Sequence, residues 1–416
     1  MDGSESSKFK VQSSKFRVQN SYVTGQRLLV LTLPATVLAC LLGAALVEVW
    51  VRAQWDERRG TPGFYVSDPV LGQRLNPGYD GWFAGVPVKI NALGFRDVRE
   101  YTIEKPAGAF RIIVLGDSVT FGHGALYETT YPYLVEQRLK GWRPDIRWEV
   151  WNLGVPGYNT RDELVHLQQV GERYDPDLVV VGFYPNDLTA GLATENPGLA
   201  RRAASAVQRD MQRHLYSYEF YKKVILTARW RLFTNEDDRK RIEHLAGADA
   251  LLAAAEGVEA LPEQQIGEVD YFGDEAVRDF VCPKFKIIDS KGGLRTQIRG
   301  GGPQVQAWVG AVRELQRLHR DGKYRIMFFI NMAPVACTLG DRFIDAGSLE
   351  DDAVLQEVLS DGTPVASSTR AFLHYRPSQM PLAGDHSLGN SNRVKADVLF
   401  DTLRTSVLPP LLPSVP

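Results

Sequence analysis

Residues 111–124 read RIIVLGDSVTFGHG. The apolar, β-branched run Ile112-Ile113-Val114-Leu115 enters Gly116-Asp117-Ser118 and then meets two more glycines, Gly122 and Gly124. A short continuous apolar run that stops at a turn signal predicts a strand buried on both faces, the kind found in parallel sheets. Such a strand ending in a tight turn puts Ser118 at the carboxyl edge of the sheet, where open α/β sheets collect their functional groups.

The same alternation continues on both sides of this turn. ETTYPYLVEQRLKGW reads as a helix, IRWEVWNLG as a strand, and TRDELVHLQQVGERY as a second helix with Thr160 as its expected N-cap. PDLVVVGFYPND predicts a third strand, PQVQAWVGAVRELQRLHRDG a helix and YRIMFFINMAP a further strand. Strands alternating with helices imply a parallel sheet covered by helices on both faces. Between about 188 and 302 lies a large, mostly helical insertion. It includes the aromatic, cationic stretch LYSYEFYKKVILTARWRLF (Leu215–Phe233), which reads either as a helix packed on its own domain or as one lying on a membrane surface.

The N-terminus is organised differently. Leu28–Val47 (LLVLTLPATVLACLLGAALV) carries no charge, and as a helix it would span about 30 Å, the thickness of a bilayer's hydrocarbon core. It reads as an uncleaved anchor over 28–50; a cleaved signal or lipoprotein segment and a buried core helix are the alternatives. Lys8, Lys10, Lys15, Arg17 and Arg27 precede it, while Arg52, Arg58 and Arg59 follow, so the bias puts the N-terminus in the cytoplasm and the main domain outside. Residues 1–26, with the small duplication SSKFKVQ and SSKFRVQ, read as a disordered basic tail. Residues 51–108, rich in Gly, Pro and Trp, read as a stalk and lead-in to a domain over 109–410.

Composition narrows the function. A formal net charge of −2 provides no basic field for nucleic acid, so that partner is excluded. The three cysteines, Cys40, Cys282 and Cys337, include no C-x-x-C pair, and no structural metal site is expected. Cys282 and Cys337 form the one available pair in the exported part, where a disulfide is permitted.

The expected strand ends bring together the parts of an acyl-transfer site. They supply Ser118, the glycines of NLGVPGYNT, Asn186-Asp187 in FYPND, and Asp385-His386 in PLAGDHSLGN. A serine hydroxyl becomes a nucleophile when a neighbouring base takes its proton, and histidine suits that role near neutral pH. Backbone N–H groups and an asparagine amide suit the oxyanion that forms next. His374 is the competing base, and His123 reads as local structure near the site.

These blocks resemble the SGNH hydrolase superfamily, also called GDSL esterases and lipases. Ser118 in Gly116-Asp117-Ser118, Gly157 in GVPGYNT, Asn186 in Asn186-Asp187 and His386 fall on the four residues that name it. Thr120 stands where the α/β-hydrolase elbow G-x-S-x-G needs its second glycine, which argues against that rival fold. The upstream KINALGFRD is similar to the lead-in of membrane-anchored bacterial members. The resemblance implies a flavodoxin-like three-layer sandwich, Ser118 as nucleophile, and His386 as base. Ser118, Gly157 and Asn186 would form the oxyanion hole, with no metal or organic cofactor. In the family an aspartate stands two or three residues before the histidine; here Asp385 is adjacent to it, and positions 383 and 384 are Ala and Gly. Either the loop bends to let Asp385 orient His386, or another acid or a carbonyl does so, or the site runs as a Ser–His dyad. The expected function is a membrane-anchored serine esterase acting on acyl esters of envelope glycans or lipids. An O-acyltransferase and a non-catalytic scaffold are the alternatives.

Overall fold

The apolar run before Ser118 is the central strand of a five-stranded parallel sheet in the computed structural model, which describes residues 32–188, 199–243, 293–337, 341–345, 347–383 and 386–413. In chain order the strands are β1 (Ala109–Leu115), β2 (Arg147–Asn152), β3 (Leu178–Phe183), β4 (Ile326–Ile330) and β5 (Val365–Ser367). Across the sheet they run β2-β1-β3-β4-β5, all parallel. This is the flavodoxin-like order, with its switch point beside β1. β5 is only three residues, VAS, too short for a hydrophobic run to announce it.

The period-two geometry of a strand divides the apolar run between two cores. Ile113 and Leu115 face one side, with Trp151, Val179, Val181, Phe328 and Ile330. There they pack on α3 (Thr160–Tyr174), α4 (Pro303–Arg320) and α5 (Ser348–Ser360). Ile112 and Val114 face the other side with Val150, Val180, Met327 and Phe329. Those residues meet α2 (Tyr131–Trp142) and α6 (Gly389–Thr402). The result is a three-layer α/β/α sandwich. Each fully buried aliphatic side chain in it contributes about 1.5–3 kcal/mol relative to exposure.

One helix start differs from the sequence reading. The N-cap of α3 is Asn159, not Thr160: its Oδ1 accepts the N–H groups of Arg161 and Asp162, and Asp162 returns the bond to complete a capping box. Thr160 is thereby released for another use at the site.

The lead-in packs on the sandwich. Two hairpins, Tyr65–Asp68 with Gly72–Leu75 and Asp80–Phe83 with Val86–Lys89, bury Phe64, Leu75, Tyr79, Val86, Val88 and Ile90 against Phe121, Val155 and Tyr158. The second hairpin turns on Ala84 and Gly85, both at positive φ, the geometry a two-residue turn requires.

At the amino end of the sheet, Arg111 is fully buried inside β1. Its Nε donates to Glu149 at 2.9 Å, its Nη1 donates to the carbonyls of Ile103 and Tyr174, and its guanidinium stacks 4.0 Å over Trp151.

Of the described residues, 32–55 together with Leu215–Lys222 form a second compact unit. Its helix, Thr32–Ala53, is long and apolar enough to cross a membrane by length and composition. Glu48 on this helix accepts hydrogen bonds from the N–H groups of Tyr216 and Ser217 and from the Ser217 hydroxyl. The expected basic tail, most of the insertion and Cys282 lie outside the described residues.

Candidate active site

Everything at the site hangs on how β1 ends. Gly116 leaves the strand where a Cβ would overlap the Thr120 side chain, so only glycine fits the turn. The short helix α1 (Ser118–Phe121) begins immediately, capped by Asp117, whose Oδ1 accepts the Val119 N–H at 2.8 Å. Thr120 anchors α1 from below through a 2.8 Å hydrogen bond to the Tyr131 hydroxyl. Gly182 on β3 leaves the room that this contact needs, since a Cβ there would come 2.6 Å from Thr120 Oγ1.

Ser118, 268 positions earlier in the chain, meets His386: its Oγ lies 2.9 Å from the imidazole Nε2. His386 sits on a two-residue strand, His386–Ser387, paired antiparallel with Leu382–Ala383. The pairing is pinned where Asn392 of α6 donates to the Ser387 carbonyl. His374, the competing base in the sequence, is exposed beside the short helix Thr369–Phe372. Asp385 lies outside the described residues.

The other expected residues arrive from neighbouring strand ends. Asn186 follows β3 in the turn Pro185–Leu188, and its Nδ2 donates to Asp117 Oδ2 at 2.7 Å. Asp117 therefore ties the Ser118 turn to the asparagine amide. Burial raises the Asp117 carboxyl above its ordinary value, while the Val119 and Asn186 bonds favour its charged form.

After β2, Val155-Pro156-Gly157-Tyr158 forms a turn closed by the Tyr158 N–H on the Val155 carbonyl. Gly157 has φ +91° at its third position, and proline stands at the second, as a type II turn prefers. That bond does not use the Gly157 N–H. Gly154, the other glycine of the block, instead packs against the backbone of Phe121, where a Cβ has no space.

Behind the site lies an acidic pair that the sequence did not reveal. Asp187 is buried and accepts from the Thr160 hydroxyl at 2.9 Å, which is why Thr160 is not the cap. Glu163, one turn further along α3, is 1% exposed, and neither of its oxygens has a hydrogen-bond partner among the described residues. Burial first holds both carboxyls well above their ordinary range, with repulsion from Asp187 and Asp117 next for Glu163 and repulsion from Asp117 next for Asp187. A carboxyl raised on folding gives stability that is full below the unfolded value, near 4, and is lost as pH rises through the folded value. Glu163→Gln, a neutral isostere with no proton to lose, is expected to stabilise the protein at pH 8 by about 1 kcal/mol or more, since one unit of pKa difference between the folded and unfolded states corresponds to about 1.4 kcal/mol, and to change little at pH 4. Urea midpoints at the two pH values check this.

Two further groups flank the site. His123, read from the sequence as local structure near it, stacks on the His386 ring, with centroids 4.4 Å apart and planes 24° from parallel. Phe83, from the second hairpin, meets His123 edge-on at 5.1 Å. Among the described residues no cluster of three His, Cys, Asp or Glu is arranged to hold a metal ion.

With this geometry established, comparison with known proteins places the segment. Residues 114–275 match the family model described as the GDSL-like lipase/acylhydrolase family. No curated protein matches the chain in sequence. Among solved structures it is similar to a lipase/acylhydrolase from Enterococcus faecalis at 15% identity, covering 71% of this chain and 95% of that one with a TM-score of 0.33. An acetylxylan esterase from Geobacillus stearothermophilus is similar at 12% identity, covering 71% and 94% with a TM-score of 0.34. A GDSL-like lipase from Bacteroides thetaiotaomicron is similar at 9%, covering 71% and 88% with a TM-score of 0.32. No residue role is taken from likenesses this distant.

Proposed function

Because this chain belongs, through residues 114–275, to the SGNH or GDSL hydrolase superfamily of ester-acting enzymes, we propose that it is a membrane-anchored serine esterase. The observation that carries the reading is the 2.9 Å contact between Ser118 Oγ and His386 Nε2, made by residues from opposite ends of the domain. That is the reach a general base needs.

In the proposed mechanism His386 Nε2 takes the Ser118 proton as Oγ attacks the ester carbonyl. The tetrahedral oxyanion is held by the N–H groups of Ser118 and Gly157 and by the Asn186 amide, which Asp117 orients. The protonated His386 then gives its proton to the departing alkoxide, leaving an acyl-enzyme on Ser118. Water, deprotonated by the same imidazole, attacks the acyl carbon; the carboxylic acid departs and Ser118 is re-protonated. Asp385 is the proposed orienting acid for His386.

The Thr32–Ala53 helix supports an anchor, and the balance of Lys and Arg around it supports an N-terminus in the cytoplasm and the site on the outer face. A tethered external esterase suits acyl esters of envelope glycans or lipids. Hydrolysis and transfer share every step up to the acyl-enzyme, so the acceptor separates them. The purified protein is expected to turn over short-chain nitrophenyl esters with water alone. Turnover only when a glycan acceptor is added would make it an O-acyltransferase. His386→Ala is expected to reduce the rate by about 10²–10⁴, the usual contribution of a general base.

A further inference from the structure

Taking Ser118 as the nucleophile and His386 as the base, we propose that His123 is a positioning residue for His386, held in place by Arg96 of the lead-in. The base must keep its ring in the one plane that aims Nε2 at Ser118 Oγ. Among the described residues its hairpin is short: Leu382 and Ala383 pair with Ser387 and His386, and one further bond runs from the Leu388 N–H to the Pro381 carbonyl. A flat wall on one face of the ring supplies a constraint that so small a hairpin lacks.

His123 is that wall, for three reasons visible in the fold. Its ring lies face to face with His386 at 4.4 Å, a stacked contact rather than an edge-on one. Its backbone is fixed to the nucleophile's own helix, because the His123 N–H donates to the Ser118 carbonyl at 2.9 Å just after Gly122 turns left-handed at φ +84°. The ring is also braced by Phe83, edge-on at 5.1 Å. Nucleophile and wall therefore move as one piece.

That piece is gripped from the lead-in. Arg96 is 1% exposed, and its guanidinium donates to the carbonyls of Phe121 at 2.8 Å, Gly122 at 2.7 Å and Ala125 at 2.6 Å. No carboxylate pairs with it among the described residues, so these carbonyls do the work of a counter-ion. Its face also covers the Phe121 ring at 4.7 Å. Arg96 is itself aimed by Asn91, whose side-chain oxygen accepts the N–H groups of Leu93 and Phe95, and by its own N–H on the Asn152 carbonyl. The stretch NALGFRD is therefore a bracket whose far end reaches the loop between Ser118 and Ala125.

The test is the second-order rate of fluorophosphonate labelling, which reads Ser118–His386 without knowledge of the acceptor, together with kcat and KM on nitrophenyl acetate. His123→Ala is expected to lower the labelling rate and kcat by about 10–100-fold, the cost of a base slightly misaimed, with KM within about threefold of wild type. His123→Phe, which keeps a flat face but no titrating nitrogen, is expected to stay within about threefold of wild type throughout. If alanine unfolds the loop, His123→Leu fills the volume without a flat face and carries the same expectation as alanine. Arg96→Lys keeps the charge but cannot reach three carbonyls, and is expected to reproduce the alanine loss. Equal labelling of wild type and His123→Ala overturns the proposal, as does a phenylalanine variant as slow as alanine, which would assign His123 to proton chemistry. Full labelling of Ser118→Ala overturns the nucleophile assignment instead, and the two failures are read separately.

Discussion

Ser118→Ala is expected to abolish fluorophosphonate labelling and to cut ester turnover by about 10³–10⁶ while leaving the thermal midpoint within a few degrees of wild type. The large loss follows from the removal of the only atom that forms a bond to the acyl group. Donors of an oxyanion hole and binding alone leave a residual rate well above that of water, so the activity is not expected to vanish entirely. Stability is barely affected because, among the described residues, the Ser118 hydroxyl hydrogen-bonds only to His386, whereas the turn is held by Gly116, Asp117 and Thr120. An alanine variant that labels as fast as wild type would place the nucleophile elsewhere.

The second large effect lies at the opposite end of the same strand. Arg111→Met is expected to destabilise the domain by about 3–5 kcal/mol, because removing one member of a buried ion pair leaves the other charge uncompensated. Glu149, on β2, would keep only the looser contact of Arg147 at 3.7 Å. The carbonyls of Ile103 and Tyr174 would lose their donor in the interior, and the stack on Trp151 would lose its cation. The double variant Arg111→Met with Glu149→Leu is expected to recover part of the loss, though not all of it, since the carbonyls stay unsatisfied. Urea unfolding measures both, and kcat per folded molecule should not change, because none of these groups reaches the carboxyl end of the sheet. A loss below about 1 kcal/mol, the usual value of an exposed pair, would mean that water reaches Glu149.

The sheet was legible from the sequence because its strands are buried on both faces, and β1, β3 and β4 therefore read as unbroken apolar runs. Ser118 and His386 could be nominated together only because a tight glycine turn and a late Asp-His block carry recognisable chemistry. Their 2.9 Å meeting is a property of the fold. β5 could not be read, since three residues carry no periodicity. The N-cap was misassigned by one position because Asn159 and Thr160 are both good caps, and the deciding factor, Asp187 claiming the Thr160 hydroxyl, comes from the turn after β3. Glu163 carries no signal of its own in the sequence; its burial follows from how α3 packs on the sheet. The lead-in was harder still: Gly, Pro and Trp suggested a stalk, but the role of Phe83 and Arg96 depends on contacts with residues 121–125 that no local pattern encodes. Asp385, the remaining member of the expected constellation, lies outside the described residues.

The Arg96 clamp has a consequence for how such a site can diversify. Its hydrogen bonds go to carbonyl oxygens, which every amino acid carries, and the one side chain of the loop that its face covers is Phe121. Gly122 and Gly124 are committed by their left-handed backbone, and Phe121 and Ala125 by complete burial. Position 123 alone is left open to exchange, directly over the imidazole, so a single substitution there re-tunes the catalyst while the chain beneath it keeps its course.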